Sequence, residues 1–339
     1  MEKNEYQANP QRYDGGMKYR RAGRSGVMLP EISLGLWHNF GKEDDFSNCQ
    51  AILHAAFDSG ITHFDLANNY GPPNGSAEET FGRVMKQSFL PYRNELFIST
   101  KAGHEMRPGP YGEWGSRKTL MNSIDESLRR MNLDYVDLFY SHRYDPVTPL
   151  EETMQTFADI VRQGKALYVG ISKYPAEVAA FAYKYLRDRD VYCLTYQGKY
   201  SLLSREVDSS GILQQAKENG VGFIAFSPLA QGLLTDRYLD GKIAETSRMA
   251  KGVFLKKEHL TEAVLKILRK LSDVASARNQ SLAEMALAWL LKDDRVCSVL
   301  IGASSVEQLF TNLSAIKRTD FSEDELQLIE SILNNSLSY

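Results

Sequence analysis

The chain contains 339 residues, with 40 basic and 43 acidic side chains and a formal net charge of −3. This small charge gives no reason to expect nucleic acid or an anionic membrane surface as a partner. Hydrophobic residues at 43% and charged residues at 24% are ordinary for a soluble globular protein. No apolar run reaches the roughly 18 residues that a membrane-spanning helix needs.

The amino terminus and the cysteines indicate the compartment. Residues 1–11 are polar and mixed in charge, unlike a signal peptide or a membrane anchor. Cys49, Cys193 and Cys297 lie far apart and match neither a disulfide framework nor zinc-ligand spacing, so they predict core thiols in a reducing compartment. We therefore expect a cytoplasmic protein without a metal site.

Strand-like and helical patterns alternate along the chain. Residues 17–21 and 27–30, separated by a glycine-containing turn, predict a hairpin. Eight apolar runs then begin at about Ile32, His63, Leu96, Val136, Ala166, Cys193, Gly222 and Ser298. Helical patterns cover residues 50–59, 116–131, 150–163, 206–219, 261–277, 282–291, 306–316 and 323–333.

The spacing of the strands predicts the fold. The first seven strand starts are mostly about 30 residues apart, as expected for a repeated βα unit. Eight such units predict a (β/α)8 TIM barrel, because eight parallel strands can close with no edge unpaired. We expect one domain over residues 1–339, with the hairpin in front and extra helices at the carboxyl end. A doubly wound open sheet is the alternative, but no G-x-G-x-x-G turn follows the first strand.

Polar side chains follow three successive strands of this barrel. Asp65 lies at the end of a short apolar strand, where an isolated carboxylate would be costly, and Tyr70 lies on the loop that follows. Lys101 ends the next strand and His142 the one after it. The carboxyl ends of barrel strands form one face, so we expect these four side chains to converge there.

Each of these residues has an ordinary explanation on its own, as an ion-pair member, a loop aromatic, a solvated strand end or a core imidazole. Their occurrence together favours an active site. Tyr70 can protonate a carbonyl oxygen during reduction, and we expect Lys101, held charged by Asp65, to lower the pKa of the phenol. His142 can hydrogen-bond the same oxygen. No side chain donates a hydride, so this chemistry requires a cofactor.

Over nearly its whole length the chain resembles the aldo-keto reductases, a (β/α)8 family that binds NADPH without a Rossmann fold. Asp65, Tyr70, Lys101 and His142 fall on the catalytic tetrad of that family. Residues 35–41, 68–73, 109–112 and 116–118 are most similar to the bacterial L-glyceraldehyde-3-phosphate reductase subgroup, which is related to the β subunits of potassium channels.

This resemblance implies an NADP-dependent oxidoreductase that reduces small aldehydes, of the L-glyceraldehyde 3-phosphate or methylglyoxal type, with Tyr70 as the proton donor. It also implies a possible homo-oligomer, since related subgroups form tetramers or octamers.

The resemblance further implies an NADP(H) site in the second half of the chain. Ser172, Lys173 and Gln197 fall where the family holds the nicotinamide amide, although many members have Asn at the position of Lys173. Phe226 falls at the aromatic position that stacks on nicotinamide. The expected cofactor residues are Gly35, Trp37, Asp65, Ser172, Lys173, Gln197, Phe226, Ser227, Pro228, Leu229, Gln231, Gly232, Leu233, Arg237, Arg248, Gly302, Ser304, Gln308 and Asn312.

The segment after the last strand bears on the choice of cofactor. Ser304 opens a helix whose free N–H groups favour an anion, and Gln308 and Asn312 face one side of that helix. The family uses this element for the adenosine 2′-phosphate, which implies NADPH. Ser305, where a basic residue would add charge, leaves some use of NADH open.

The substrate pocket and the long loop after the seventh strand are less specific. Arg237 and Arg248 on that loop are candidate phosphate clamps, with solvated loop arginines as the alternative. Arg143 offers a cation for a phosphorylated aldehyde. The expected substrate residues are Trp37, Tyr70, His142, Arg143 and Tyr111.

Two other classes of function remain open from the sequence. One is a cofactor-binding regulatory or redox-sensing subunit like the potassium-channel β proteins. The other is an aldolase or isomerase that forms a Schiff base on Lys101.

Overall fold

The structure is a computed structural model that describes residues 6–241 and 260–334. An antiparallel hairpin precedes eight parallel strands that close into a barrel, with β10 paired to both β3 and β9. The predicted (β/α)8 fold is therefore confirmed. The strands are β1 (Tyr19–Arg21) and β2 (Met28–Pro30) in the hairpin, then β3 (Ile32–Gly35), β4 (His63–Asp65), β5 (Phe97–Ala102), β6 (Val136–Ser141), β7 (Ala166–Ser172), β8 (Cys193–Lys199), β9 (Gly222–Phe226) and β10 (Val296–Ile301).

Helices surround the barrel, and none in the described part of the chain is long and apolar enough to cross a membrane. Several helices begin at a residue whose short polar side chain caps the amino terminus. Ser116, for example, accepts a hydrogen bond from the Thr119 N–H. The described helices are α1 (Phe46–Asp58), α2 (Ser76–Val84), α3 (Arg117–Met131), α4 (Leu150–Arg162), α5 (Ala176–Arg187), α6 (Glu206–Ser209), α7 (Ile212–Asn219), α8 (Glu262–Ala277), α9 (Leu282–Leu291), α10 (Val306–Leu313) and α11 (Glu323–Asn334).

The structure differs from the sequence-based expectation in three helices. Helices α2 and α5 were not predicted, and the single helix expected over residues 206–219 is divided into α6 and α7. The division occurs at Gly211, whose φ of +75° is a left-handed conformation that no α-helix contains.

Apolar side chains pack on both surfaces of the barrel wall. The larger core lies between the strands and the helices. A smaller cluster fills the barrel interior, where Ala22 and Leu29 of the hairpin region meet Leu138, Ile224 and Leu300 from the strands. The hairpin thus closes the amino-terminal end of the barrel and leaves the carboxyl-terminal end for a site.

Strand register fixes which residues are neighbours at that end. Gly35 of β3 pairs with Asp65 of β4, and Asp65 pairs in turn with Ser99 of β5. Ser172 of β7 pairs with Gln197 of β8. The parallel pairing brings the polar strand ends to a single face, as expected for this fold.

Candidate active site

A cavity of about 920 Å³ opens at the carboxyl-terminal face of the barrel. Its volume and its mixture of aromatic and polar walls suit a nucleotide cofactor together with a small substrate. The sequence-predicted residues that line it are Gly35, Trp37, Asp65, Tyr70, His142, Ser172, Lys173, Gln197, Phe226, Ser227, Pro228, Leu229, Gln231, Gly232, Arg237, Gly302, Ser304, Gln308 and Asn312.

Lys101 and Asp65 form a buried ion pair beneath this cavity. The Lys101 ammonium is fully enclosed, donates to a carboxylate oxygen of Asp65 and also donates to the Leu66 carbonyl at 2.7 Å. The Oη atom of Tyr70 lies 3.5 Å from the Lys101 Nζ atom. A buried charge is tolerated when its donors are satisfied in this way, so the pair holds a fixed cation beside the phenol.

His142 faces Tyr70 across the cavity. The two ring centroids are 5.8 Å apart and the rings are nearly perpendicular. On its other side His142 contacts His104, at a centroid distance of 4.4 Å. The Nδ1 atom of His142 is buried and has no hydrogen-bond partner among the described residues. The imidazole is thus placed to act on a group that enters the cavity.

The protonation of this site follows from its burial. Desolvation raises the pKa of Tyr70 well above 10, and the nearby Asp65 charge raises it further. Desolvation lowers the pKa of His142 well below 6.5, and Lys101 is the next largest cause. Near neutral pH the site therefore contains a protonated phenol and a neutral imidazole, both of which are hydrogen-bond donors.

The sequence predicted a lowered pKa for Tyr70, but burial and the Asp65 charge raise that pKa in this structure. The Lys101 ammonium donates to Asp65 and to the Leu66 carbonyl, and it lies at the longer distance of 3.5 Å from the Tyr70 oxygen. Burial also lowers the pKa of Lys101 itself, and Asp65 opposes that change.

Lys173 and His104 lie at the rim of the cavity, with the Lys173 Nζ atom 3.3 Å from the His104 Nε2 atom. Burial, followed by the charges of Lys101 and Arg143, lowers the pKa of Lys173 to about 8. Burial and the Lys173 charge lower the pKa of His104 to about 4. Sequence reasoning did not single out His104, and the only signal available was its place in the long glycine-rich loop that follows β5.

Other features of the cavity lining suit a cofactor. Lys173, Ser227 and Gln231 all line the cavity with positive φ angles, and such backbone conformations cluster at binding sites. The Ser172 Oγ and Asn312 Nδ2 atoms are buried at the cavity and have no hydrogen-bond partner among the described residues. These groups fit a ligand that carries hydrogen-bonding atoms along its length.

The amino terminus of α10 forms the far end of the cavity. Ser305 caps this helix by accepting a hydrogen bond from the Gln308 N–H. The Gln308 side-chain oxygen accepts from the Ser304 N–H at 2.8 Å and from the Ser304 hydroxyl at 2.9 Å. The donor end of the Gln308 amide is therefore left for a ligand. Glu307, which also lines the cavity, adds an acidic side chain that the sequence analysis did not consider.

Comparison with known proteins identifies the family. Residues 31–334 match the aldo/keto reductase family. The chain belongs to the aldo/keto reductases. It is 57% identical to the L-glyceraldehyde 3-phosphate reductase of Escherichia coli (strain K12) over 327 residues, which cover 95% of this chain and 94% of that protein. It is 34% identical over 303 residues to a probable voltage-gated potassium channel subunit beta of Oryza sativa subsp. japonica, covering 88% of this chain and 91% of that protein.

Membership of the aldo/keto reductases makes the chain an oxidoreductase, and enzymes of this family generally use NADH or NADPH. The similarity to both relatives also confirms the subgroup expected from the sequence motifs.

Some predicted residues lie away from the cavity of this aldo/keto reductase. Arg143 is paired with Glu113 and stacks on Trp114, with its guanidinium carbon 3.8 Å from the ring centroid. Tyr111 is 57% exposed on the surface. Neither residue lines the cavity, because Arg143 is held against the loop that follows β5 and Tyr111 lies in solvent.

Three further predicted residues have different positions. Lys101 lies beneath the cavity and contacts Asp65 and Tyr70, which line it. Leu233 is buried behind the loop that lines the cavity. Arg248 lies outside the described residues.

Proposed function

We propose that this protein reduces small aldehydes of the L-glyceraldehyde 3-phosphate or methylglyoxal type to alcohols, with NADPH as the reductant. The observation that carries the proposal is the buried arrangement of Tyr70, Lys101, Asp65 and His142 at the base of a cavity large enough for cofactor and substrate. The 57% identity to a bacterial L-glyceraldehyde 3-phosphate reductase supports the choice of substrate class.

The proposed chemistry assigns a task to each side chain. Bound nicotinamide supplies the hydride. Tyr70 holds a proton beside the reacting oxygen, because burial keeps its phenol protonated near neutral pH. The neutral His142 imidazole donates a hydrogen bond to the same oxygen as negative charge develops there. Lys101 then stabilises the phenolate that remains when Tyr70 has given up its proton.

Residues on the carboxyl-terminal face would hold the cofactor. Ser172 offers an unpaired hydroxyl near the reacting end, and Phe226 offers an aromatic surface. At the far end, Ser304 and Gln308 at the start of α10 would receive the 2′-phosphate of NADPH, since helix N-termini bind anions. Glu307 repels the same phosphate, so we expect a modest preference for NADPH.

Lys173 supports a phosphorylated substrate. Lys173 is exposed at the rim, and its ammonium lies beside His104, which in turn contacts His142. A phosphate group there would meet a cation a short distance from the reacting carbonyl group. With Arg143 engaged by Glu113, Lys173 replaces it as the expected contact for the substrate phosphate.

The proposal is tested by measuring NADPH oxidation with a panel of aldehydes that do and do not carry phosphate. Repeated turnover with L-glyceraldehyde 3-phosphate, and slower turnover with glyceraldehyde itself, is the expected result. Turnover with none of the aldehydes, in a protein that binds NADPH, would refute the proposal.

A second function, a regulatory subunit that binds the cofactor, is favoured by the similarity to the rice potassium channel subunit beta. Such a protein would oxidise its bound NADPH about once and slowly. Single-turnover and steady-state measurements on the same sample separate the two functions.

A further inference from the structure

A chain of buried polar groups crosses the barrel interior below the candidate active site. Every side chain in it comes from a barrel strand and is at most 2% exposed. The chain of groups runs in order through the Pro30 carbonyl, Ser298, Ser33, His63, Ser99 and Asp65.

The lower half of this chain ends at a backbone carbonyl. The Ser298 hydroxyl donates to the Pro30 oxygen at 2.6 Å. The Ser33 Oγ atom lies 2.6 Å from the Ser298 Oγ atom and 2.8 Å from the His63 Nδ1 atom. A carbonyl oxygen can only accept, so Ser298 uses its single proton there. Ser33 must then donate to Ser298, which leaves His63 Nδ1 as the donor to Ser33.

The upper half ends at a carboxylate. The Ser99 Oγ atom lies 2.6 Å from the Asp65 Oδ1 atom, a length typical of a hydroxyl that donates to a carboxylate. The His63 Nε2 atom lies 2.9 Å from the same Ser99 oxygen. Because Ser99 uses its proton on Asp65, the Nε2 atom must donate to Ser99. Both ring nitrogens of His63 therefore need a proton.

The extra proton could instead reside on Asp65, but its surroundings oppose this. The Asp65 Oδ1 atom also accepts from the Gln197 amide at 3.2 Å, and its Oδ2 atom accepts from the Lys101 ammonium. Three donors around two oxygens stabilise the ionised carboxylate.

We infer that His63 is a positioning residue held as a doubly protonated imidazolium, which directs the Ser99 hydroxyl onto Asp65 and balances the carboxylate charge from below. The inference about turnover rests on the proposed function, whereas the protonation of His63 does not depend on it.

Opposing forces act on the imidazolium. Burial lowers the pKa of His63, and the Lys101 charge adds to this effect, while the Asp65 charge raises the pKa. Phe97 packs against the ring with its centroid 5.4 Å away and brings no charge. Against the burial cost, a neutral ring would leave two acceptors facing each other at less than 3 Å, in an interior where unpaired polar groups are costly.

The consequence concerns Tyr70. When His63 is charged, the negative charge of Asp65 is balanced by both His63 and Lys101. The electrostatic field of Lys101 is then less cancelled by Asp65 at the phenol 3.5 Å away. That field stabilises the phenolate formed when Tyr70 transfers its proton. Loss of one buried charge at this range is expected to lower kcat roughly tenfold.

The experiment measures the ring protons of His63 by NMR in protein labelled with ¹⁵N-histidine, near neutral pH, with His63→Gln used to assign the signals. Two N–H groups are expected in the wild type. Ser33→Ala removes the hydroxyl that accepts from the His63 Nδ1 atom. A proton on Nε2 alone then satisfies the remaining hydrogen bonds, and the His63 ring should carry one proton. Thr195→Val, which removes a buried hydroxyl bonded to Tyr140 outside the chain, is the matched control and should leave two.

A single ring proton in the wild type overturns the proposal, as does a second proton that persists in Ser33→Ala. In turnover assays Ser33→Ala should lower kcat roughly tenfold with little change in KM. An unchanged kcat, together with the expected NMR result, would remove the link to Tyr70.

Discussion

The surroundings of Tyr70 suit its proposed role as a proton donor. Its phenol is buried and stays protonated near neutral pH, and a fixed cation lies 3.5 Å away to receive the charge that proton transfer creates. The raised pKa supplies the proton in the resting site, and the cation lowers the cost of releasing it. The two effects oppose each other in one equilibrium: burial favours the phenol and the ammonium favours the phenolate, so Lys101 reduces the cost that burial imposes on proton release.

Tyr70→Phe removes that proton. Loss of general acid catalysis typically lowers kcat by about 10²- to 10⁴-fold, and NADPH affinity should change little because the hydroxyl bonds to Lys101. Steady-state kinetics and cofactor titration measure both quantities. Tyr111→Phe is a control, since Tyr111 is exposed and outside the cavity. Near-native turnover in Tyr70→Phe would contradict the assignment.

Lys173 should make binding of a phosphorylated substrate depend on pH. Its pKa is lowered to about 8, so the side chain is charged below that pH and becomes neutral above it. Substrate phosphate is already ionised above about pH 7, so KM should rise from about pH 7 to pH 9 as Lys173 loses its proton. Lys173→Met should have a high KM at every pH. Uncharged methylglyoxal serves as the control and should show neither effect.

The four residues expected to converge could be predicted because each follows a strand and barrel register brings strand ends together. Lys101 shows where such reasoning ends. Its place at the end of β5 and its pairing with Asp65 could be predicted, but its second bond is to the Leu66 carbonyl, a backbone group that no sequence pattern marks. His104 was missed for a related reason, since its contact with His142 depends on the path of an irregular loop.

At the scale of elements, we expect α10 to determine how the far end of the cofactor is bound. The Gln308 amide is oriented by two bonds from Ser304, so its donor end points outward. Gln308→Ala should weaken the binding of NADPH more than the binding of NADH. The expected loss is about tenfold, because one charge-assisted hydrogen bond to the 2′-phosphate is removed. Glu307→Gln should strengthen the binding of NADPH but not of NADH, because it removes a charge that repels the 2′-phosphate. Titration of both cofactors tests this, and an equal loss for both in Gln308→Ala would place Gln308 on the adenosine instead.

The hairpin closes the barrel through a very close backbone approach. A Cβ atom on Gly23 would lie 2.0 Å from the Gly220 oxygen, and Gly23 has a φ of +56°. Gly23→Ala should therefore destabilise the protein by about 2–3 kcal/mol. Gly26→Ala, in the same turn but with no atom within 4 Å, should change stability by less than about 0.5 kcal/mol. Urea denaturation measures both, and equal effects would contradict the packing role of Gly23.

Helices and strands could be predicted where apolar residues recur over a long stretch. Helix α9 is an example, since it begins and ends where the sequence predicted. Short elements were harder. Helix α2 begins directly after a proline-rich loop, and its residues are polar at several buried positions, among them Glu78, which bonds Thr100 and Arg130. Such a helix is stabilised by tertiary contacts that the local pattern does not contain.

Closure is a property of the whole molecule, since the carboxyl-terminal strand β10 joins the first barrel strand β3 to the seventh, β9. A chain truncated after residue 295 lacks β10 and exposes two unpaired strand edges. We expect it to aggregate and to show no cooperative unfolding.

A chain truncated after residue 322 is the matched comparison. It loses α11, including the buried Ile329 and Leu333, but keeps β10 and the closed barrel. We expect it to stay soluble and to unfold cooperatively at a lower Tm, because burial of those side chains contributes about 1.5–3 kcal/mol each. Circular dichroism melts and size-exclusion chromatography distinguish the two chains. If the chain ending at residue 295 also unfolded cooperatively as a monomer, closure by β10 would not be what stabilises the barrel.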